Sequence, residues 1–352
     1  MPTLHARIVD VAARISASAP TASWTAPDVA TAFSDTAERL RALTGAAAPE
    51  AAPRVWCTWY RYFEDLTADD VRENLAALDE LDLPIDVMQI DDGWSTGTGE
   101  GTRVRDAFGD LAALVDTIRA GGRRAGIWLA PFLLGVETTL ATEHPEWLVG
   151  PAGFNWGQDQ TGLDLTHPGV QEYLVEVFSS LRDLGIDYFK LDFLYAGAIP
   201  GTRHRPLDGV QAYREGMLLI REAVGPDAFL VGCGAPLLPS IGLVDAMRVS
   251  PDTFHEGGED GSTGLRGQMS LEARHWQNGR LWINDPDCLV ARPSFALRDQ
   301  WAEVVRSAGG LASFSDRLAE LDDHGLRMVR DLLEAPDDRR APSAAAATGG
   351  LR

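Results

Sequence analysis

From residue 54 onward, short apolar runs alternate with amphipathic stretches at a steady pace. Eight of the runs have the length and the β-branched or aromatic content of buried strands: 54–60, 85–90, 124–130, 187–193, 229–232, 244–248, 281–284 and 310–314. The stretches between them read mostly as helices. After Thr67, residues Val71, Leu75, Leu78 and Leu81 recur at three- and four-residue spacing, and Asp70 stands where a capping-box acid belongs. The same period predicts helices over 111–118, 170–184, 210–223, 265–277, 297–307 and 318–333, and an excursion over 131–165 follows the third strand. Eight strands with mostly helical returns predict an α/β fold, a (β/α)8 TIM barrel. A doubly wound open sheet is the alternative, but it would carry a glycine-rich phosphate loop after its first strand, and this chain has none there.

The ends differ in texture. Residues 1–52 are rich in Ala, Ser and Thr, with helical patches expected at 8–15 and 29–43 and a linker over 45–53. Residues 335–352 are of low complexity and are expected to be disordered. The expected organisation is a helical lead (1–52), a barrel (53–334) and a tail (335–352).

A formal net charge of −21 argues against nucleic acid and anionic membrane surfaces as partners and leaves a neutral or cationic small ligand. The three cysteines are far apart and form no C-x-x-C pair, which excludes a disulfide framework and a cysteine-rich zinc site. The histidines show no ligand spacing, and no G-x-S-x-G elbow occurs, so neither metal nor cofactor is expected. No basic segment leads into an apolar run at the N-terminus, and no window approaches 18 apolar residues, so the expected location is the cytoplasm. Nothing in the sequence speaks to oligomeric state.

In such a barrel the chemistry sits at the C-terminal ends of the strands. Those ends carry Trp56 and Trp59, Asp91 and Asp92, Trp128, Lys190 and Asp192, Cys233, Arg248 with Asp252 four residues on, and Asn284 to Asp287. Lys190 is the chain's only lysine, and on a strand it faces the same side as Asp192, so the two are expected to pair. Each feature has a plainer reading: Asp91-Asp92-Gly93 as turn chemistry, Asp252 as a cap, the tryptophans as core. Their recurrence at the same end of successive strands is what those separate readings do not predict. Carboxylates that accept paired hydroxyls, beside indole faces, suit a sugar. Asp192 and Asp252, on different strands, supply the carboxylate pair that glycoside hydrolysis needs, with Arg248 orienting a carboxylate or a hydroxyl.

These segments, in order, resemble the catalytic barrel of family-36 glycoside hydrolases, the α-galactosidase (melibiase) group. The residues that carry the resemblance are Trp56-Cys57-Thr58-Trp59-Tyr60, Asp91-Asp92-Gly93-Trp94, Gly126 to Pro131, Tyr188 to Phe193, Gly232-Cys233-Gly234 and Arg248 to Asp252. The resemblance implies retaining, exo-acting release of terminal α-linked galactose from a small or oligosaccharide α-galactoside, without a cofactor. It assigns Asp192 as nucleophile and Asp252 as acid/base. Asp91 and Asp92 would hold the 4- and 6-hydroxyls, Lys190 would contact neighbouring hydroxyls, and Trp128 and Cys233 would wall the pocket, with Trp56 and Trp59 beside them. The same motifs would serve a galactosyl transferase of the raffinose-synthase type, or a hydrolase of α-N-acetylgalactosaminides, α-glucosides or α-xylosides. A sugar-binding module without turnover is the non-enzymatic alternative.

Overall fold

The computed structural model describes residues 29–47, 51–101 and 103–335. The patch expected at 8–15 and the tail over 336–352 lie outside the described residues. The barrel strands are β1 (Arg54–Cys57), β2 (Val87–Ile90), β3 (Arg124–Leu129), β7 (Ile186–Leu191), β8 (Phe229–Gly232), β9 (Ala246–Arg248), β10 (Ile283–Asp285) and β11 (Ala312–Phe314). All pair in parallel in one eight-stranded sheet, in the order β10-β9-β8-β7-β3-β2-β1-β11. The two ends of that sheet meet across a thin seam, where the Leu311 amide donates to the Asn284 carbonyl at 2.8 Å. The result is the (β/α)8 barrel that the apolar periodicity predicts.

The helices are α1 (Val29–Thr44), α2 (Ala68–Glu80), α3 (Leu111–Ala120), α4 (Pro168–Asp183), α5 (Gly209–Val224), α6 (Gln268–Arg274), α7 (Arg298–Ala308) and α8 (Asp323–Leu333). The Thr67 capping box forms as expected, with Thr67 and Asp70 satisfying each other's backbone amides. Helix α1 lies against the barrel, Phe33 stacking on Trp276 with ring centroids 5.0 Å apart.

Two expectations are revised, and one open stretch gains its structure. The first strand stops at Cys57, because Tyr60 turns away and its amide donates to Ser315 Oγ at 2.8 Å; the aromatic run past Cys57 is a helical turn. Residues 318–333 are not one helix: Asp322 caps α8 by accepting the Gly325 amide, leaving a short 3-10 turn before it. The excursion over 131–165 holds a three-stranded antiparallel sheet of β4 (Leu133–Gly135), β5 (Leu148–Asn155) and β6 (Gln158–Leu163). Among the described residues no helix is long and apolar enough to cross a membrane.

Inside the barrel, Val55, Val87, Tyr188, Phe229, Val231, Ala246, Ile283 and Leu311 form a closed apolar layer. Tyr188 and Phe229 stack within it at 5.4 Å, and the neighbouring strand β3 gives way: a Cβ on Gly126 would stand 2.8 Å from the Tyr188 ring. Side chains on a strand return to one side every second residue. Two residues on from that layer therefore stand Cys57, Gln89, Lys190, Cys233, Arg248 and Asp285. The polar rim is the next storey of the same barrel interior.

Candidate active site

Asp91 follows β2 and is buried. Its Oδ2 accepts from Lys190 Nζ at 2.9 Å, from Gln89 Nε2 at 2.6 Å and from Cys57 Sγ at 3.4 Å, while Oδ1 accepts the Asp92 amide at 3.0 Å. Asp91 thus takes four donors from the protein itself, three of them on Oδ2, which leaves capacity only on Oδ1. Burial alone would lower Lys190, yet the charge of Asp91 leads the terms that outweigh it, and Lys190 sits well above the usual lysine value. The expected Lys190–Asp192 pair is thus replaced by Lys190–Asp91. The reason is local: the ladder ends at Leu191, the Asp192 amide donates to Leu129, and Phe193 enters the left-handed region at φ 50°. Asp192 leaves the strand before its side chain can follow Lys190 inward.

Asp192 instead accepts the Phe193 amide at 2.7 Å and Trp128 Nε1 at 3.3 Å, both neutral donors. Asp92 accepts the Gly93 amide at 2.7 Å and Trp156 Nε1 at 2.8 Å, which leaves acceptor capacity on both oxygens. Burial pushes Asp92 up to about 6.

Across the mouth, Arg248 at the end of β9 is shared by three carboxylates: Asp252 at 3.1 Å, Asp285 at 3.2 Å and Asp287 at 2.6 Å. Asp287 also accepts from the Tyr60 hydroxyl and, at 2.8 Å, from the Thr253 amide. It has no exposed surface, and burial, against the pull of Arg248, raises it to about 6. The guanidinium fixes Asp252 while its charge is divided with two buried neighbours.

Asp192, Cys233, Arg248 and Asp252 line one cavity of about 470 Å³, with Phe193, Tyr195, Ser270 and Arg274. That volume suits a small ligand. Burial raises the Cys233 thiol well above its usual range, so it stands there as a neutral wall. Asp91, Asp92 and Lys190 lie outside that lining, and Trp128 touches it through its bond to Asp192. Trp56 does not: in the β1 alternation it faces outward, fully buried, with its indole N–H donating to the Asp316 carbonyl at 2.9 Å. Trp59 is half-buried and packs edge-on to Phe63, outside the cavity lining. Sequence reading missed Trp156, Gln89 and the role of Asp287. Gln89, a lone amide in an apolar strand, was a signal for the second; Trp156 sits on a hairpin that local pattern did not reveal.

The melibiase family profile matches residues 27–209, just over half of the chain. The chain belongs to the melibiase family. It is 28% identical over 205 residues to α-galactosidase C of Emericella nidulans, covering 51% of this chain and 26% of that one. It is 27% identical over 158 residues to the bifunctional α-galactosidase/sucrose kinase of Mediterraneibacter gnavus, covering 40% and 17%. The matches thus span about a quarter or less of these curated relatives. Among solved structures, the α-galactosidase of Thermus thermophilus in complex with p-nitrophenyl α-D-galactopyranoside aligns with a TM-score of 0.72 at 29% identity, over 89% of this chain and 66% of that one. Its complex with stachyose aligns with a TM-score of 0.73 at 30% identity, over 86% and 69%.

Proposed function

We propose that this melibiase-family chain is an exo-acting α-galactosidase that works by retaining double displacement. One observation carries the reading: Asp192 and Asp252, from the ends of two different strands, line the same cavity. Asp192, held by neutral N–H donors, attacks the anomeric carbon as its bond to the leaving oxygen breaks. Asp252, fixed by Arg248, gives its proton to that oxygen. Water then attacks the glycosyl–Asp192 ester as Asp252 takes the water's proton back, and galactose leaves with its original configuration. Asp92, with acceptor sites free, and Lys190, with ammonium hydrogens beyond its bond to Asp91, would hold sugar hydroxyls, while Asp91 anchors that lysine and Trp128 walls the pocket. The ligand is an α-galactoside, as the Thermus thermophilus complexes hold. The three cysteines are free and buried, which fits a reducing compartment, and the cytoplasm is the location we propose.

A panel of p-nitrophenyl α-glycosides tests the substrate: the galactoside should be turned over fastest, and preference for the glucoside, xyloside or N-acetylgalactosaminide would overturn the assignment. Proton NMR of the first-formed sugar should show the α-anomer. Asp192→Ala should lose roughly four or more orders of magnitude in kcat and regain turnover with azide, giving the β-galactosyl azide. Wild-type rates in that variant would sink the mechanism.

A further inference from the structure

The β5–β6 hairpin ends in Trp156-Gly157, and both residues have positive φ, 48° and 71°. That sign pattern is the one a type I′ turn requires, and it favours Asn or Gly, not an indole. Nothing within the hairpin asks for a tryptophan. The partners of this ring all belong to the site: its N–H donates to Asp92 Oδ2 at 2.8 Å, and its centroid lies 5.0 Å from Phe193 and 6.2 Å from Trp128. The arm that carries it is tied down from the catalytic side, where the Tyr195 hydroxyl, just past β7, donates to the Ala152 carbonyl at 2.6 Å. Gln160 Nε2 pins the Asn155 carbonyl at 2.9 Å.

We propose that Trp156 is a positioning and specificity residue of this site, holding the Asp92 carboxylate for a sugar hydroxyl and walling the pocket beside it. The inference rests on the α-galactosidase reading and deepens it. An indole supplies both parts at once, a flat apolar face for the sugar and one donor for the carboxylate that reads its hydroxyl. Because the turn, Tyr195 and Gln160 set the arm in place, the donor is already aimed when the substrate arrives, which limits what binding must order.

The charges around Asp92 fix the sign of the pH effect. Burial is the main cause that raises Asp92, Asp91, itself paired to Lys190, and Glu64 add repulsion, and the Gly93 amide and Trp156 N–H work against them. Phenylalanine at 156 keeps the ring and the burial and removes the N–H, so Asp92 would hold its proton to a higher pH.

The test is steady-state kinetics on p-nitrophenyl α-D-galactopyranoside for wild type, Trp156→Phe and Trp156→Ala, with melting temperatures alongside. Trp156→Ala should raise KM roughly tenfold or more, the scale of a lost hydrogen bond to a charged group, with kcat within about threefold. Trp156→Phe should raise KM less, keep the wild-type melting temperature and move the acid limb of kcat/KM to higher pH. Unchanged KM and an unmoved acid limb in Trp156→Phe overturn the proposal, whatever the melting temperature of Trp156→Ala. An inactive wild type would instead sink the functional reading, and this inference with it.

Discussion

The two ends of the barrel treat charge in opposite ways. At the strand starts each aspartate has its own arginine: Arg54–Asp86 at 2.8 Å, Arg124–Asp187 at 2.9 Å and Arg221–Asp245 at 2.7 Å. Burial would raise Asp86, but its hydrogen bonds and charge contact with Arg54 outweigh it and leave it below the usual carboxylate value. At the strand ends Asp91 pairs with Lys190, and Asp252, Asp285 and Asp287 share Arg248, while Asp92 and Asp192 have only neutral donors. There Asp92 and Asp287 are pushed up to about 6. One end is matched pair by pair and partly exposed; the other is crowded with like charge, with Asp91, Asp285 and Asp287 buried. Crowding of that kind costs stability and is kept where chemistry needs it.

Three tests probe this contrast. Lys190→Met leaves Asp91 buried without its cation and should destabilise by about 3–5 kcal/mol in urea denaturation. Adding Asp91→Asn should restore much of that loss, and a single variant as stable as wild type would mean that Asp91 is not charge-dependent on Lys190. The second concerns pH. The folded protein holds the Asp92 proton up to about 6, higher than the unfolded chain does, so this group takes stability away as pH rises from about 4 to about 6. Asp92→Asn keeps an acceptor for Trp156 and removes that titration. Its melting temperature should therefore gain on wild type across that window, and a gap that stays flat or closes contradicts the assignment. The smallest effect belongs to the other rim: Arg54→Ala, breaking a half-exposed pair, should cost less than about 1 kcal/mol and leave kcat/KM unchanged. A marked loss of activity there would erase the distinction between the ends.

Much of this was legible in the residue order. The short apolar runs marked the barrel strands, and the two-residue alternation of a strand, carried one step past the apolar layer, explains why Cys57, Lys190, Cys233 and Arg248 share a rim. What escaped is long-range. That Lys190 would choose Asp91 over Asp192 depends on where the β7 ladder stops and on a left-handed Phe193, neither visible in a hydrophobic pattern. Trp56 and Trp59 drew notice because aromatics at a strand end suit a sugar, yet strand alternation turned Trp56 into the helix layer. Trp156 was hidden because its hairpin is inserted after β3 and meets Asp92 across 64 positions.

The single lysine has a practical consequence of its own. Its ammonium is the only side-chain primary amine in the chain, and it is buried inside the barrel on β7. A lysine-directed protease therefore has one target, the Lys190–Leu191 bond, reached only when the barrel opens. The rate at which that one bond is cut reads out the opening of the molecule at its own centre.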